Sequence, residues 1–193
     1  EEYIDGPEFA VDTFWFEGEA LCHFILCRND MKGPFFNDSL YYFDPCMTQD
    51  VINKIERGVT EGLKSIGVTS GISHTELRLN NGIPYLIETG LRPAGGGMFN
   101  SLYKTAYGVN PLYLLFLLCQ GSSLETIQSY IRSNSRLSKH KVFAYLVPYE
   151  GKGRIVSING EDTVKQRSDV INLMLFKKKG DYLYEFSSSL DYF

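Results

Sequence analysis

Two acidic side chains, Glu76 and Glu88, stand twelve residues apart, and His74, Arg78 and Arg92 each lie within four residues of one of them. Between the two acids, Asn80-Asn81-Gly82 is a turn signal, so Gly71 to Gly90 reads as a β-hairpin. Side chains alternate faces along a strand. A three-residue loop at 80–82, with Gly82 in the left-handed region, sets Glu76 opposite Leu86 and His74 opposite Glu88. One face then carries Thr75, Leu77, Leu79, Ile83, Tyr85 and Ile87 and belongs to a core. The other carries His74, Glu76, Arg78, Pro84, Leu86 and Glu88. A two-residue loop would set Glu76 beside Ile87 and mix the faces, so the three-residue loop is the expected register.

Two carboxylates on one face repel each other unless a cation sits between them. Magnesium suits that place: it takes oxygen ligands from one or two carboxylates and completes its shell with water and substrate phosphates. Arg92, just past the strand end, could reach a transferring phosphoryl group. Gly95, Gly96 and Gly97 would let backbone N–H groups approach an anion. The same residues also admit a plainer reading, an exposed cross-strand set of ion pairs that contributes little.

The elements that must position these residues follow from pattern. Glu8 to Glu17 and Ala20 to Arg28 read as strands, and residues 29–47, with three turn pairs, as a loop. Thr48 can cap a helix from Gln49 to Ile66, with Val51, Ile52, Ile55, Val59, Leu63 and Ile66 as its apolar stripe and Gly67 as its stop. A helix over 101–119 should break near Pro111, and a short one should run from Ser122 or Ser123 to Arg132. From Lys141 onward come short strands, a helix around 163–168 and a last hairpin around Lys179-Gly180-Asp181. The polar stretch 133–141 separates an expected first unit, 1–132, from a small C-terminal lobe, 133–193.

Composition narrows the class. With 44% hydrophobic and 22% charged residues the 193-residue chain has the balance of a globular protein. A net charge of −4 and one basic block, Lys177 to Lys179, do not make a nucleic-acid surface. The longest apolar run, Pro111 to Cys119, is too short to span a bilayer, so no membrane partner is expected. None of Cys22, Cys27, Cys46 and Cys119 forms a Cys-x-x-Cys pair, and they read as buried free thiols of a reducing cytoplasm.

These motifs resemble a family. The stretch from Glu1-Glu2-Tyr3-Ile4 to Asp12 looks like the adenine hinge and following strand of ATP-grasp enzymes. Gly71-Ile72-Ser73-His74-Thr75-Glu76, then Glu88 and Arg92, resembles their metal-and-phosphate signature. Glu88-Thr89-Gly90-Leu91-Arg92-Pro93-Ala94-Gly95-Gly96 resembles members that join amino acids, such as L-amino-acid ligases, whereas many others place Asn where Gly90 stands.

The resemblance implies an α+β fold, an antiparallel sheet flanked by helices that forms the C-terminal subdomain of an ATP-grasp enzyme. It implies ATP and Mg2+ as cofactors, small carboxylate and amine substrates, amino acids among them, and reaction through an acyl phosphate. A biotin carboxylase-like or carbamoyl-forming reaction and a non-catalytic nucleotide-binding module are the alternatives. The backbone of Glu1, Glu2 and Ile4 would meet adenine, and Glu8 the ribose. His74, Arg78, Gly95 and Gly96 would line the nucleotide, Glu76 and Glu88 would hold metal, and Arg92 would be catalytic. Nothing in the chain matches the family's glycine-rich lid and ATP-binding lysines. The expectation is therefore a fragment, inactive alone, whose partner is an N-terminal part of the same polypeptide.

Overall fold

A computed structural model describes residues 2–29, 39–95, 97–146 and 151–184. Its centre is β1 (Glu8–Phe16), in which every residue from Phe9 to Trp15 is buried. A strand covered on both faces reads as an unbroken apolar run, and the Phe, Val and Trp content of β1 fits that place. It pairs antiparallel with β2 (Glu19–Arg28) on one side and β4 (Gly71–Asn80) on the other. β3 (Leu40–Phe43), β5 (Ile83–Gly90) and β6 (Val142–Tyr145) complete a six-stranded sheet of order β5-β4-β1-β2-β3-β6.

Helix α1 (Gln49–Ser65) covers one face. Thr48 caps it by accepting from the Val51 N–H, and Ile55, Val59 and Leu63 face Val11, Trp15, Ile25 and Leu77 in one core. Ile66, expected in that stripe, is exposed, because the helix has ended and Gly67 turns the chain with φ of 81°. The opposite face is covered at one end by α2 (Phe99–Tyr107), α3 (Pro111–Cys119) and α4 (Leu124–Asn134) over Phe14, Phe24, Phe43 and Ile72. The break at Pro111 is real: Gly108 stops α2 in the left-handed region, and Asn110 caps α3 with Pro111 in its first turn. Ser123 caps α4.

Three expectations change. Leu40–Phe43 is a strand, not loop; its four apolar residues are bounded by turn pairs that hid so short an element. Val142–Tyr145 returns to the main sheet beside β3 rather than joining the later strands. The strand after Gly180, β8 (Tyr182–Leu183), pairs with β7 (Gly153–Arg154), far back in sequence, so no local hairpin forms at 179–181. Between these two strands lies α5 (Glu161–Lys165).

The four cysteines are free; Cys22 and Cys27 are half-buried, and Cys46 and Cys119 are exposed rather than buried. Among the described residues no helix is long and apolar enough to cross a membrane. The antiparallel sheet with flanking helices is the expected α+β arrangement.

Candidate nucleotide and metal site

The sheet face that carries α2 to α4 changes character along the strands. Toward the helices it is apolar; past them Arg28 on β2, Glu8 at the start of β1, and Glu76 and Arg78 on β4 project from the same face. Each is half-buried or buried, so every charge needs a partner. Arg28 Nη1 reaches Glu76 Oε2 at 2.6 Å and also pairs with Glu8 Oε1. Arg78 Nε donates to Glu8 Oε2 at 2.9 Å, and its Nη1 donates to the Ile4 carbonyl at 2.7 Å. The Arg78 guanidinium also lies over the Tyr3 ring, 4.8 Å from its centroid. Glu8 thus links two arginines, and Arg78 ties residues 3–4, which precede β1, to the sheet. The N–H of Ile4 and the backbone groups of Glu2 make no hydrogen bond among the described residues.

The hairpin reaches its geometry by a route other than the expected one. The loop has two residues: Asn80 pairs with Ile83, and Asn81 and Gly82 have φ of 50° and 78°. Asn-Gly with both residues at positive φ is the type I′ turn whose twist matches the strands. Leu77 then faces Leu86, and Pro84 and Leu86 lie against Gly58 and Gly62 of α1, on the face opposite to the expected one. Ile83 and Tyr85 are exposed rather than core. Uncorrected, this register would set Glu76 against Ile87. A β-bulge between Glu76 and Leu77 absorbs one residue, so that Glu76 faces Glu88 and His74 faces Gly90. The two carboxylates are direct cross-strand neighbours on one face, as their pairing required.

His74 is buried below them. Its Nδ1 lies 2.5 Å from Asp12 Oδ1, and its Nε2 lies 3.8 Å from Glu76 Oε1. Burial alone would lower the His74 pKa, but hydrogen bonds to Asp12 and Glu76, with their charges, raise it to about 9. Burial would raise Glu76; His74 and Arg28 outweigh it and hold the carboxyl below its usual range. The Glu88 side chain is exposed, with no ion pair or hydrogen bond among the described residues. Arg92 is also exposed, donates to the Pro93 carbonyl at 3.1 Å, and lies across Gly90: a Cβ there would come within 3.4 Å of Arg92 Cγ and Nε. Arg92 therefore lies over the end of β5 at Gly90, which is two residues past Glu88. Gly95 is exposed on the loop that follows; Glu1 and Gly96 lie outside the described residues.

Residues 1–100 of the chain match the ATP-grasp domain. This chain belongs to the ATP-grasp family. An L-amino acid ligase from Bacillus licheniformis superposes with a TM-score of 0.82 and 30% identity over 97% of this chain and 47% of its own length. Carnosine synthase 1 of Gallus gallus is 27% identical over 121 residues, 62% of this chain and 13% of that protein. A phosphoribosylglycinamide synthetase from Anaerococcus prevotii shares the fold, with a TM-score of 0.79 at 18% identity over 98% of this chain and 47% of its own. The ATP-grasp chain described here spans less than half the length of each of these relatives.

The donor set of this ATP-grasp chain fits a hard divalent cation. Among the described residues no group of three or more His, Cys, Asp or Glu is gathered as a ligand set. Two facing carboxylates, one with no counter-charge among these residues, are what Mg2+ takes alongside water and phosphates. Reading by motif missed Asp12, Arg28 and Tyr41. Their signal is a lone charge in an apolar strand, for Asp12 in Phe9–Phe16 and for Arg28 at the end of Ala20–Arg28. Tyr41 lies on the unrecognised β3, its ring 5.2 Å below the Arg28 guanidinium.

Proposed function

We propose that this chain supplies one wall of the active site of an ATP-dependent carboxylate–amine ligase, in which a carboxylate is activated as an acyl phosphate and then attacked by an amine to form an amide. The observation that carries the reading is the exposed Glu88, unpaired among the described residues, directly opposite the clamped Glu76, with Arg92 folded over Gly90 at the end of the same strand. Glu76 and Glu88 would hold Mg2+, which when bound with ATP neutralises phosphate charge. Arg92 offers a planar fork that can meet two anionic oxygens at once. His74, kept protonated by Asp12 and Glu76, adds fixed positive charge beneath. Arg78 braces the segment at Tyr3 and Ile4, leaving the Ile4 N–H and the backbone of Glu2 open to a base edge, with Glu1 preceding them. Each Glu8 oxygen already accepts from an arginine, so a ribose hydroxyl would share them. The glycine-bearing segment from Pro93 to Met98 would help shape the carboxylate pocket. Amino acids are the proposed substrates, because the glycine-bearing segment after Glu88 resembles that of L-amino-acid ligases and a ligase of that kind shares 30% identity.

Positioning and electrostatics would carry such catalysis. The residues of this chain hold no glycine-rich lid with paired lysines, and we expect the 193-residue chain alone to show no turnover. In the full-length protein, Arg92→Lys should lower turnover about 100- to 1000-fold while nucleotide affinity stays near normal. Turnover measured with ATP, Mg2+ and amino acids, beside nucleotide titration, decides it. Near-normal turnover of the lysine variant would make Arg92 a structural residue.

A further inference from the structure

Asp12 has no part in the reading above beyond its pairing with His74. It is 1% exposed, in the middle of a strand whose other residues, after Glu8 at its start, are apolar or neutral. A carboxylate there is costly unless both oxygens are matched. They are matched by two separate elements. Oδ1 takes His74 Nδ1 on β4, and Oδ2 accepts the backbone N–H of Ala94 at 3.3 Å, on the loop after β5. Tyr103 of α2, its hydroxyl buried without a hydrogen-bond partner, lies close enough for the Asp12 charge to push its pKa up, after burial, the larger cause.

A carboxylate present merely to neutralise a buried histidine would need one of these contacts. The second goes to a loop backbone, and its location is specific. Ala94 is two residues past Arg92, while His74 faces Gly90, the residue under the Arg92 side chain. The segment 90–94 is therefore held at both ends: Gly90 by strand pairing with His74, whose ring Asp12 Oδ1 fixes, and Ala94 directly by Asp12 Oδ2. His74 in turn approaches Glu76.

We propose that Asp12 is a positioning residue that holds the Arg92 segment in register with the Glu76–Glu88 pair. Its catalytic consequence rests on the function proposed above; the bracket itself does not. A misplacement on the order of 1 Å at such a group can cost about 100-fold in rate.

The test uses Asp12→Leu, which keeps the branching without an acceptor, and Ala94→Pro, which removes the N–H and leaves Asp12 and His74 in place. In the full-length protein, Asp12→Leu should speed hydrogen exchange of the Ala94 amide about tenfold or more, with the α1 amides unchanged. Both variants should lose about 10- to 100-fold in kcat with KM for ATP within about twofold, and the double variant should be no worse than the poorer single one. Unchanged Ala94 exchange, or kcat losses that multiply in the double variant, would overturn the proposal. If Asp12→Leu does not fold, Ala94→Pro decides: kcat lowered at constant KM supports the bracket, and normal kcat removes it. If the wild-type protein turns over no ATP with any amino acid, the functional reading falls, while the exchange result still decides the bracket.

Discussion

Glu76 and Glu88 face each other across one pair of strands, yet they live in different environments. Glu76 sits on β4, between two strands, with a side chain 20% exposed and held by Arg28 and His74. Glu88 sits on the edge strand β5, exposed and with no counter-charge among the described residues. The inner carboxylate is fixed in charge and position before any ligand arrives. Under the proposed function, the outer one would gain its partner from a bound cation. One carboxylate is fixed by its neighbours and the other is left open to solvent, and the division follows from edge against interior.

The comparison can be broken from either side. The largest effect should come from the inner member. Glu76→Gln removes one of the two carboxylates paired with Arg28, whose side chain is 3% exposed, and leaves Glu8 as the other; it should cost about 2–4 kcal/mol in denaturant unfolding. Glu88→Gln should leave the midpoint unchanged, although both variants should lose Mg2+-dependent turnover. Equal stability losses would show that the two acids are not divided as described.

A pH series sharpens the same point. Glu76 is held below its ordinary value of 4.5, so its contribution is present above that pH and is lost as pH falls through the lower folded value. His74 is raised from 6.5 to about 9, so its contribution is complete below 6.5 and is lost as pH rises through 9. The stability gap between wild type and His74→Gln should therefore narrow from pH 6.5 to 9, and a gap that widens would reverse the assignment. The smallest effect belongs to the turn. Gly82→Ala, at φ of 78°, should cost about 1 kcal/mol and leave nucleotide affinity alone.

Much of this was legible in residue pattern. The cap at Thr48, the stripe Ile55-Val59-Leu63 and the break at Pro111 all follow from local rules, and the shared face of Glu76 and Glu88 was expected, though through a loop that the chain does not use. The register did not, because two local signals conflict. Asn81-Gly82 favours a two-residue turn, while the face pattern at Glu76 forbids the register that such a turn starts. The chain obeys both by inserting a bulge, which no alternation argument anticipates. β3 and β6 were obscured for another reason: four-residue strands are stabilised by partners distant in sequence. Arg28 and Asp12 were overlooked because their roles come from neighbours on other strands, and only the pairing of β1 with β2 and β4 reveals them.

The bulge also separates the hairpin into two mechanically independent reading frames. On the turn side of it, Pro84 and Leu86 answer to the demands of α1; on the far side, Glu88 and Gly90 answer to the site. The single extra residue acts as a phase slip between them. Removing Ile87 would bring Glu88 directly after Leu86 and restore an unbroken alternation with Glu76 still opposite, so the slip does for this sequence what a one-residue deletion would do. A hairpin with such a slip can change its tip, or how α1 rides over it, while the carboxylate pair keeps its phase. In this fold, variation in the turn is insulated from the chemistry by one residue of backbone.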